Sequence, residues 1–185
     1  MVVTDEVLEL AQHWPLIAAR MTAGTSERQL AMLAEVVVHA DGEYTGDTPA
    51  VMGTLVDEPV YHYWGLAPSV APQGRGGVEQ SYVNSSRTDR DFDIDVLVVD
   101  DDHVVTEGTL RTAVSARRVE AMGADTGGER LDPDRRYVVE MRMVVVWPFS
   151  PDGKLLGEDI YFGTSPTVVR PLGEGEVLYP RRARA

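Results

Sequence analysis

The clearest pattern in the chain is Asp91-Phe92-Asp93-Ile94-Asp95-Val96, where acidic and apolar residues change places at every step. Side chains on a strand point to opposite faces in turn, so this stretch predicts a half-buried strand with its carboxylates outward. Tyr137 through Trp147 reads the same way, with Val139, Met141, Met143, Val145 and Trp147 on one face and Glu140 and Arg142 on the other. Between them, the turn Asp100-Asp101-Asp102-His103 leads into a strand from Val104 to Ser115. Its Glu107, Thr109 and Arg111 form a polar face that belongs outside or at a dimer contact. Pro59 through Trp64 is a further strand. The last follows a Pro151-Asp152-Gly153 turn, and there Glu158 shares a face with Ile160 and Phe162 while Asp159 and Tyr161 share the other. A carboxylate thus stands on the apolar side of a predicted core strand.

The N-terminal part has helical spacing instead. Thr4 can cap a first helix carrying Asp5 and Glu6 in its opening turn, and Pro15 breaks or kinks it. Ser26-Glu27-Arg28-Gln29 is a capping box for a second helix, with Leu30, Leu33, Ala34, Val37 and Val38 on its buried stripe and Gly42 as its end. Asp47-Thr48-Pro49 opens a third, short helix that buries Val51, Met52 and Leu55. Gly65 to Gly77 reads as a loop, Val78 to about Asn84 as a helical turn or two, and the stretch around Gly123 to Asp134 as a long loop. Helices first and antiparallel-looking strands after give an α+β protein, with helices against one face of a curved sheet.

At 185 residues the chain suits one domain. A net charge of -13 argues against nucleic-acid binding and against docking on anionic membranes, both of which depend on Lys and Arg. The basic end Arg181-Arg182-Ala183-Arg184 reads as a solvated tail. Cysteine is absent, which removes disulfides and thiolate-held metals. The first residues lack a signal-peptide pattern, and no run approaches the ~20 apolar residues of a membrane span, so a cytoplasmic protein is expected.

Several polar clusters invite chemistry and read more simply otherwise. Asp100-Asp101-Asp102-His103 is a hairpin turn, because consecutive residues do not readily converge on one ion. His39 lies near the expected end of its helix, where it would complement the dipole, and His62 falls on the strand face opposite Tyr61 and Tyr63, suited to an interface. Gly74-Arg75-Gly76-Gly77 lacks the context of a phosphate loop and reads as a pocket flap or plain loop. Asn84-Ser85-Ser86 matches a glycosylation acceptor but means nothing without a secretory signal.

Gly46-Asp47-Thr48-Pro49-Ala50-Val51-Met52 followed by Val56-Asp57-Glu58-Pro59-Val60-Tyr61 resembles the start of nuclear transport factor 2-like proteins, in particular the SnoaL-like polyketide cyclase branch. Val104-Val105-Thr106-Glu107-Gly108 and Asp152-Gly153-Lys154 through Tyr161-Phe162 resemble the sheet half of the same pattern. The resemblance spans about residues 26–170 of a single SnoaL-like domain over 1–185, with 171–185 as a tail. It implies a cone: a strongly bent, mostly antiparallel sheet with N-terminal helices on its concave face, an apolar pocket inside, and a homodimer through the outer sheet face. It also implies cofactor-free chemistry on a small apolar molecule.

Within that family, limonene epoxide hydrolase uses an Arg-x-Asp on one strand and an Asp on the last. These fall on Gly108-Thr109-Leu110 and Ile160 of this chain, so every charged group of that route is missing and epoxide hydrolysis by it is not expected. The same comparison brings Tyr61 and Glu158 to the pocket. A carboxylate withdrawn from water binds its proton more tightly, which suits acid–base work, and protonated phenols stabilise an enolate. The expected catalytic set is therefore Glu158 with Tyr61 and Tyr63, walled by Leu110, Trp147, Ile160 and Phe162, for enolisation, cyclisation or dehydration of a largely apolar carbonyl compound. The alternatives are Glu158 paired with an arginine such as Arg142, tyrosines that serve only as wall, a binding or interaction module without catalysis, or a dimer whose pocket is filled by its own side chains.

Overall fold

The computed structural model describes residues 3–22, 24–85 and 88–179. Helix α1 (Asp5–Ala11) opens on Thr4, whose hydroxyl accepts the Val7 N–H at 3.4 Å. Pro15 does not merely end it. It becomes the first residue of a second helix, α2 (Pro15–Thr22), where its missing N–H costs nothing and from which Ile17 and Met21 are buried. The capping box opens α3 (Glu27–Thr45), with Ser26 Oγ accepting from Gln29 N at 3.2 Å. This helix runs past the expected stop at Gly42 to a left-handed Gly46 (φ 78°). Gly42 is instead where α4 (Thr48–Thr54) presses closest, since a Cβ there would lie 2.9 Å from Val51 Cγ2.

Strand β1 (Leu55–Trp64) follows directly. After a short 3-10 turn at Pro68–Val70, helix α5 (Gly74–Ser85) occupies part of the expected loop. The Gly-Arg-Gly-Gly stretch is its first turn and not a flap, because Arg75 donates to the carbonyls of Val56 (2.8 Å) and Met52 (3.0 Å) and pins it. Strands β2 (Asp89–Val99) and β3 (His103–Ser115) form the expected hairpin, with Asp100 Oδ1 accepting from the N–H groups of Asp102 and His103 at 2.7 Å each. A short helix α6 (Ala116–Met122), capped by Ser115 and closed by Gly123, precedes β4 (Arg136–Pro148), β5 (Leu155–Phe162) and β6 (Thr167–Pro171). α2, α6 and β6 are short, of eight, seven and five residues, and the sequence pattern does not announce them. The basic end and Ser86 lie outside the described residues.

The six strands make one curved, mixed sheet in the order β1-β5-β4-β3-β2, with β6 further along the edge of β4 that β5 also occupies. Only β1 and β5 run parallel. Two glycines allow the bends. β2 bulges between Ile94 and Val96, which pushes its backbone onto Gly108, where a Cβ would stand 2.1 Å from Asp93 O. Gly157 (φ 139°) meets a similar irregularity in β1, and a Cβ there would stand 1.8 Å from Val60 O.

The main core lies between helices and concave face, and gathers Trp14, Ile17, Leu33, Val37, Val104 and Leu155 among others. A smaller cluster around Val119 and Val139 sits beneath α6. The convex face carries ion pairs alongside exposed Trp64 and Tyr161. Arg142 pairs there with Asp95 and, at 2.6 Å, with Glu107, while Arg111 pairs with Glu140 at 2.7 Å. Arg142 is thereby ruled out as a partner for Glu158. Among the described residues, no helix is long and apolar enough to cross a membrane.

Candidate functional site

Helices and concave sheet enclose a cavity of about 200 Å³. The register of the sheet sets its wall. Tyr61 pairs with Glu158 and Tyr63 with Ile160 across β1 and β5, and Ile160 and Phe162 pair with Val145 and Met143 of β4. Glu158, Tyr61 and Tyr63 therefore face one space, together with Leu110, Trp147, Ile160 and Phe162. Asp159 points to the opposite side, where it meets His62 Nδ1 at 2.6 Å and accepts from Trp64 Nε1 at 3.1 Å.

Glu158 is 5% exposed, and its partner is a residue of α3. His39 is wholly buried, with Nε2 at 3.0 Å from Glu158 Oε1 and 2.9 Å from Tyr82 Oη. Because α3 continues to Thr45, His39 lies well inside the helix, and the dipole explanation does not apply to it. It lies on the same helical face as Val36, Ala40 and Glu43, which line the cavity. Trp147 packs edge-on against His39 at 5.6 Å, its indole N–H donating to Thr106 Oγ1 at 3.0 Å.

The hydrogen bonds determine where the protons are. Thr54 Oγ1 lies 2.6 Å from the Val51 carbonyl and 2.7 Å from His39 Nδ1. A carbonyl only accepts, so the hydroxyl hydrogen goes to Val51, and His39 Nδ1–H donates to Thr54. His39 Nε2 then faces Glu158 Oε1 with both side chains buried, where two opposed lone pairs would repel. One proton lies between them, either as imidazolium and carboxylate or as imidazole and carboxylic acid.

Tyr82 Oη donates to Glu158 Oε1 at 2.7 Å and lies 2.8 Å from Tyr61 Oη. With its own hydrogen committed, Tyr82 accepts from Tyr61, giving a chain from Tyr61 through Tyr82 to Glu158. Burial, followed by the charge of Glu158, raises the pKa of Tyr61, Tyr82 and Tyr63. These phenols act as hydrogen-bond donors, not as titrating groups, near neutral pH.

A second polar pair lines the same cavity. Arg90 NH1 donates to Glu43 Oε1 at 2.7 Å, and NH2 to the Ser85 carbonyl at 3.0 Å. Burial raises the pKa of Glu43, and the Arg90 charge partly offsets this. Among the described residues, no cluster of carboxylates and imidazoles could hold a metal ion.

Sequence reasoning misses His39, Tyr82, Glu43 and Arg90 as site residues. The signals are present but faint. Tyr82 follows Val78 by one helical turn, and both are buried. Arg90 precedes Phe92 and Ile94 at strand spacing, one residue before the strict alternation begins, and Glu43 lies just past the glycine taken as a helix end.

No family model matches the sequence, and neither does any curated protein sequence. Solved structures do match. A putative SnoaL-like polyketide cyclase from Shewanella denitrificans superposes with a TM-score of 0.55 at 13% identity, covering 71% of this chain and 89% of that one. The chain has the nuclear transport factor 2-like fold. The epoxide hydrolase/cyclase-like enzyme SalBIII, described in pyran ring formation in the polyether salinomycin, matches it at TM-score 0.55 and 15% identity, over 75% of this chain and 95% of its own. A computationally designed 17-OHP binder matches at TM-score 0.56 and 11% identity, over 75% and 98%. Gly108, Leu110 and Ile160 carry no charge, and Leu110 and Ile160 line the cavity. Gly108 has a backbone reason as well, since the β2 bulge leaves no room there for a side chain.

Proposed function

We propose that this protein is a cofactor-free acid–base catalyst acting on a small, largely apolar carbonyl compound inside the cone. The observation that carries the reading is the buried 3.0 Å contact between Glu158 and His39 at the wall of an apolar cavity, next to the phenols of Tyr61, Tyr63 and Tyr82. In this reading Glu158 takes a hydrogen from the carbon next to the carbonyl. The carbonyl oxygen meanwhile accepts a hydrogen bond from Tyr63, the Tyr61 hydrogen being committed to Tyr82, and becomes an enolate. The carboxylic acid so formed returns the proton to a different atom, completing an isomerisation, or delivers it to a leaving hydroxyl, completing a dehydration. His39, which does not line the cavity, and Tyr82 take no part in the proton transfer. They position the carboxylate and keep its charge tolerable out of water.

A second reading is a binding module of the same fold, favoured by the apolar residues at Leu110 and Ile160 and by the designed binder among the matching structures. Proton exchange separates the two. α-Tetralone, a compact bicyclic ketone, is incubated with the protein in heavy water, and loss of its α-hydrogen signal is followed by NMR. Catalysis predicts accelerated exchange that falls by about 100-fold or more in Glu158→Gln, the usual worth of a positioned base. Bound ketone with no acceleration, or exchange indifferent to Glu158→Gln, decides for binding alone.

A further inference from the structure

We infer that Glu43 and Arg90 form a second polar station in the cavity, one that selects substrates carrying a hydroxyl group at a distance from the reacting carbonyl. The inference rests on the cavity being a ligand site, as proposed above, but not on Glu158 being catalytic.

Three observations carry it. First, both side chains line the same cavity as Glu158, on different elements: Glu43 on α3, one helical turn past His39, and Arg90 on β2, in the row with Phe92 and Ile94. Four helical residues advance about 6 Å, so the two stations are separated along α3 by roughly the length of a fused-ring compound. Second, the pair is only 15% and 18% exposed. Taking two charges out of water stabilises a protein poorly compared with apolar packing, so such a pair calls for another role. Third, Arg90 is incompletely satisfied. Two of its nitrogens donate to Glu43 and Ser85, but Nε is buried and meets no acceptor among the described residues. Buried donors without partners are rare, and a ligand oxygen would supply what is missing.

The chemistry points to a hydroxyl instead of an anion. A carboxylate or phosphate beside Arg90 would also face the Glu43 carboxylate and be repelled. A hydroxyl suits both, accepting from the guanidinium while donating to the carboxylate. The preferred substrate is therefore an apolar hydroxy-carbonyl compound, with its carbonyl at the tyrosines and its hydroxyl at Glu43 and Arg90.

The test compares binding of α-tetralone with that of its ring-hydroxylated isomers by titration calorimetry. At least one isomer should bind the wild type about tenfold more tightly than the parent ketone, as expected for a hydrogen bond to a charged group. That preference should collapse in Glu43→Gln and in Arg90→Met, with affinity for the parent ketone little changed. Glu43→Gln keeps shape and volume, so the test stands even if Arg90→Met fails to fold. Failure of every hydroxylated isomer to gain affinity, binding of no compound at all, or a preference that survives Glu43→Gln overturns the inference. Because exchange of α-hydrogens is read separately, absence of any hydroxyl preference in the wild type with exchange intact refutes the station alone. Preference without exchange refutes only the catalytic role.

Discussion

Glu158 and Asp159 are neighbours on β5, and each carboxylate meets a histidine. The outer contact is the shorter, 2.6 Å between Asp159 and His62 against 3.0 Å between Glu158 and His39. Distance nevertheless misleads. His62 and Asp159 are 50% and 30% exposed, so water and salt screen their attraction, and pairs of this kind contribute about 0–1 kcal/mol. His39 and Glu158 are 0% and 6% exposed, and removing either leaves a buried polar group stranded. The two faces of one strand thus use the same chemistry for different ends. Outside it places a screened pair of polar groups on the sheet surface. Inside it holds a carboxylate and an imidazole together, buried at the cavity wall.

The largest effect expected from breaking that contrast is on stability. His39→Leu should cost about 3–5 kcal/mol, because Glu158 and Tyr82 lose their buried partner. The double variant His39→Leu/Glu158→Leu should cost less than His39→Leu alone, since an apolar replacement strands no charge. Urea denaturation of the three proteins checks this, and a double variant less stable than the single one would show that the pair itself carries net stabilisation.

Next comes the register that brings Tyr61 opposite Glu158. Gly157→Ala places a methyl against the Val60 carbonyl at a positive φ, so it should destabilise by more than about 1 kcal/mol and disturb the Tyr61–Tyr82–Glu158 chain. Altered tyrosine hydroxyl signals by NMR, together with the shift in unfolding midpoint, report both parts.

On the outer face, Asp159→Asn should change stability by less than about 1 kcal/mol, and high salt should shrink even that. A loss as large as that of His39→Leu would abolish the distinction drawn between the faces.

The smallest effect concerns Glu176, another surface acid. Its hydrogen bonds from Arg170 and from the Gly173 N–H hold its pKa at about 2, against an ordinary 4.5. A depressed carboxylate stabilises the fold above its unfolded pKa, and that contribution is lost as pH falls toward about 2. Carbon NMR titration of the Glu176 carboxyl should give its midpoint there, and a midpoint near the ordinary value would show that the pair does not persist in solution.

Much of the architecture was legible because it follows from local rules. Thr4, Ser26 and Asp47 cap their helices through contacts three residues away, and the alternation from Asp91 to Val96 separates inside from outside without reference to any other strand. The same alternation put Glu158 on the cavity side and Asp159 away from it. What failed locally failed for a stated cause. Gly42 looked like a helix end because glycine favours one, but the close approach of α4 requires glycine in the helix interior. That error hid Glu43 and made His39 look terminal.

The chain by itself determined which residues form helices and strands and which side of each strand is apolar, because those properties depend on spacings of two to four residues. The company each residue keeps was decided only by the tertiary structure. His39 lies 119 residues from Glu158, and Tyr82 76 from it, and no period in the sequence relates positions so far apart. Bulges at Gly108 and Gly157 bend the sheet, and the bend converts separate polar side chains into one proton-holding site.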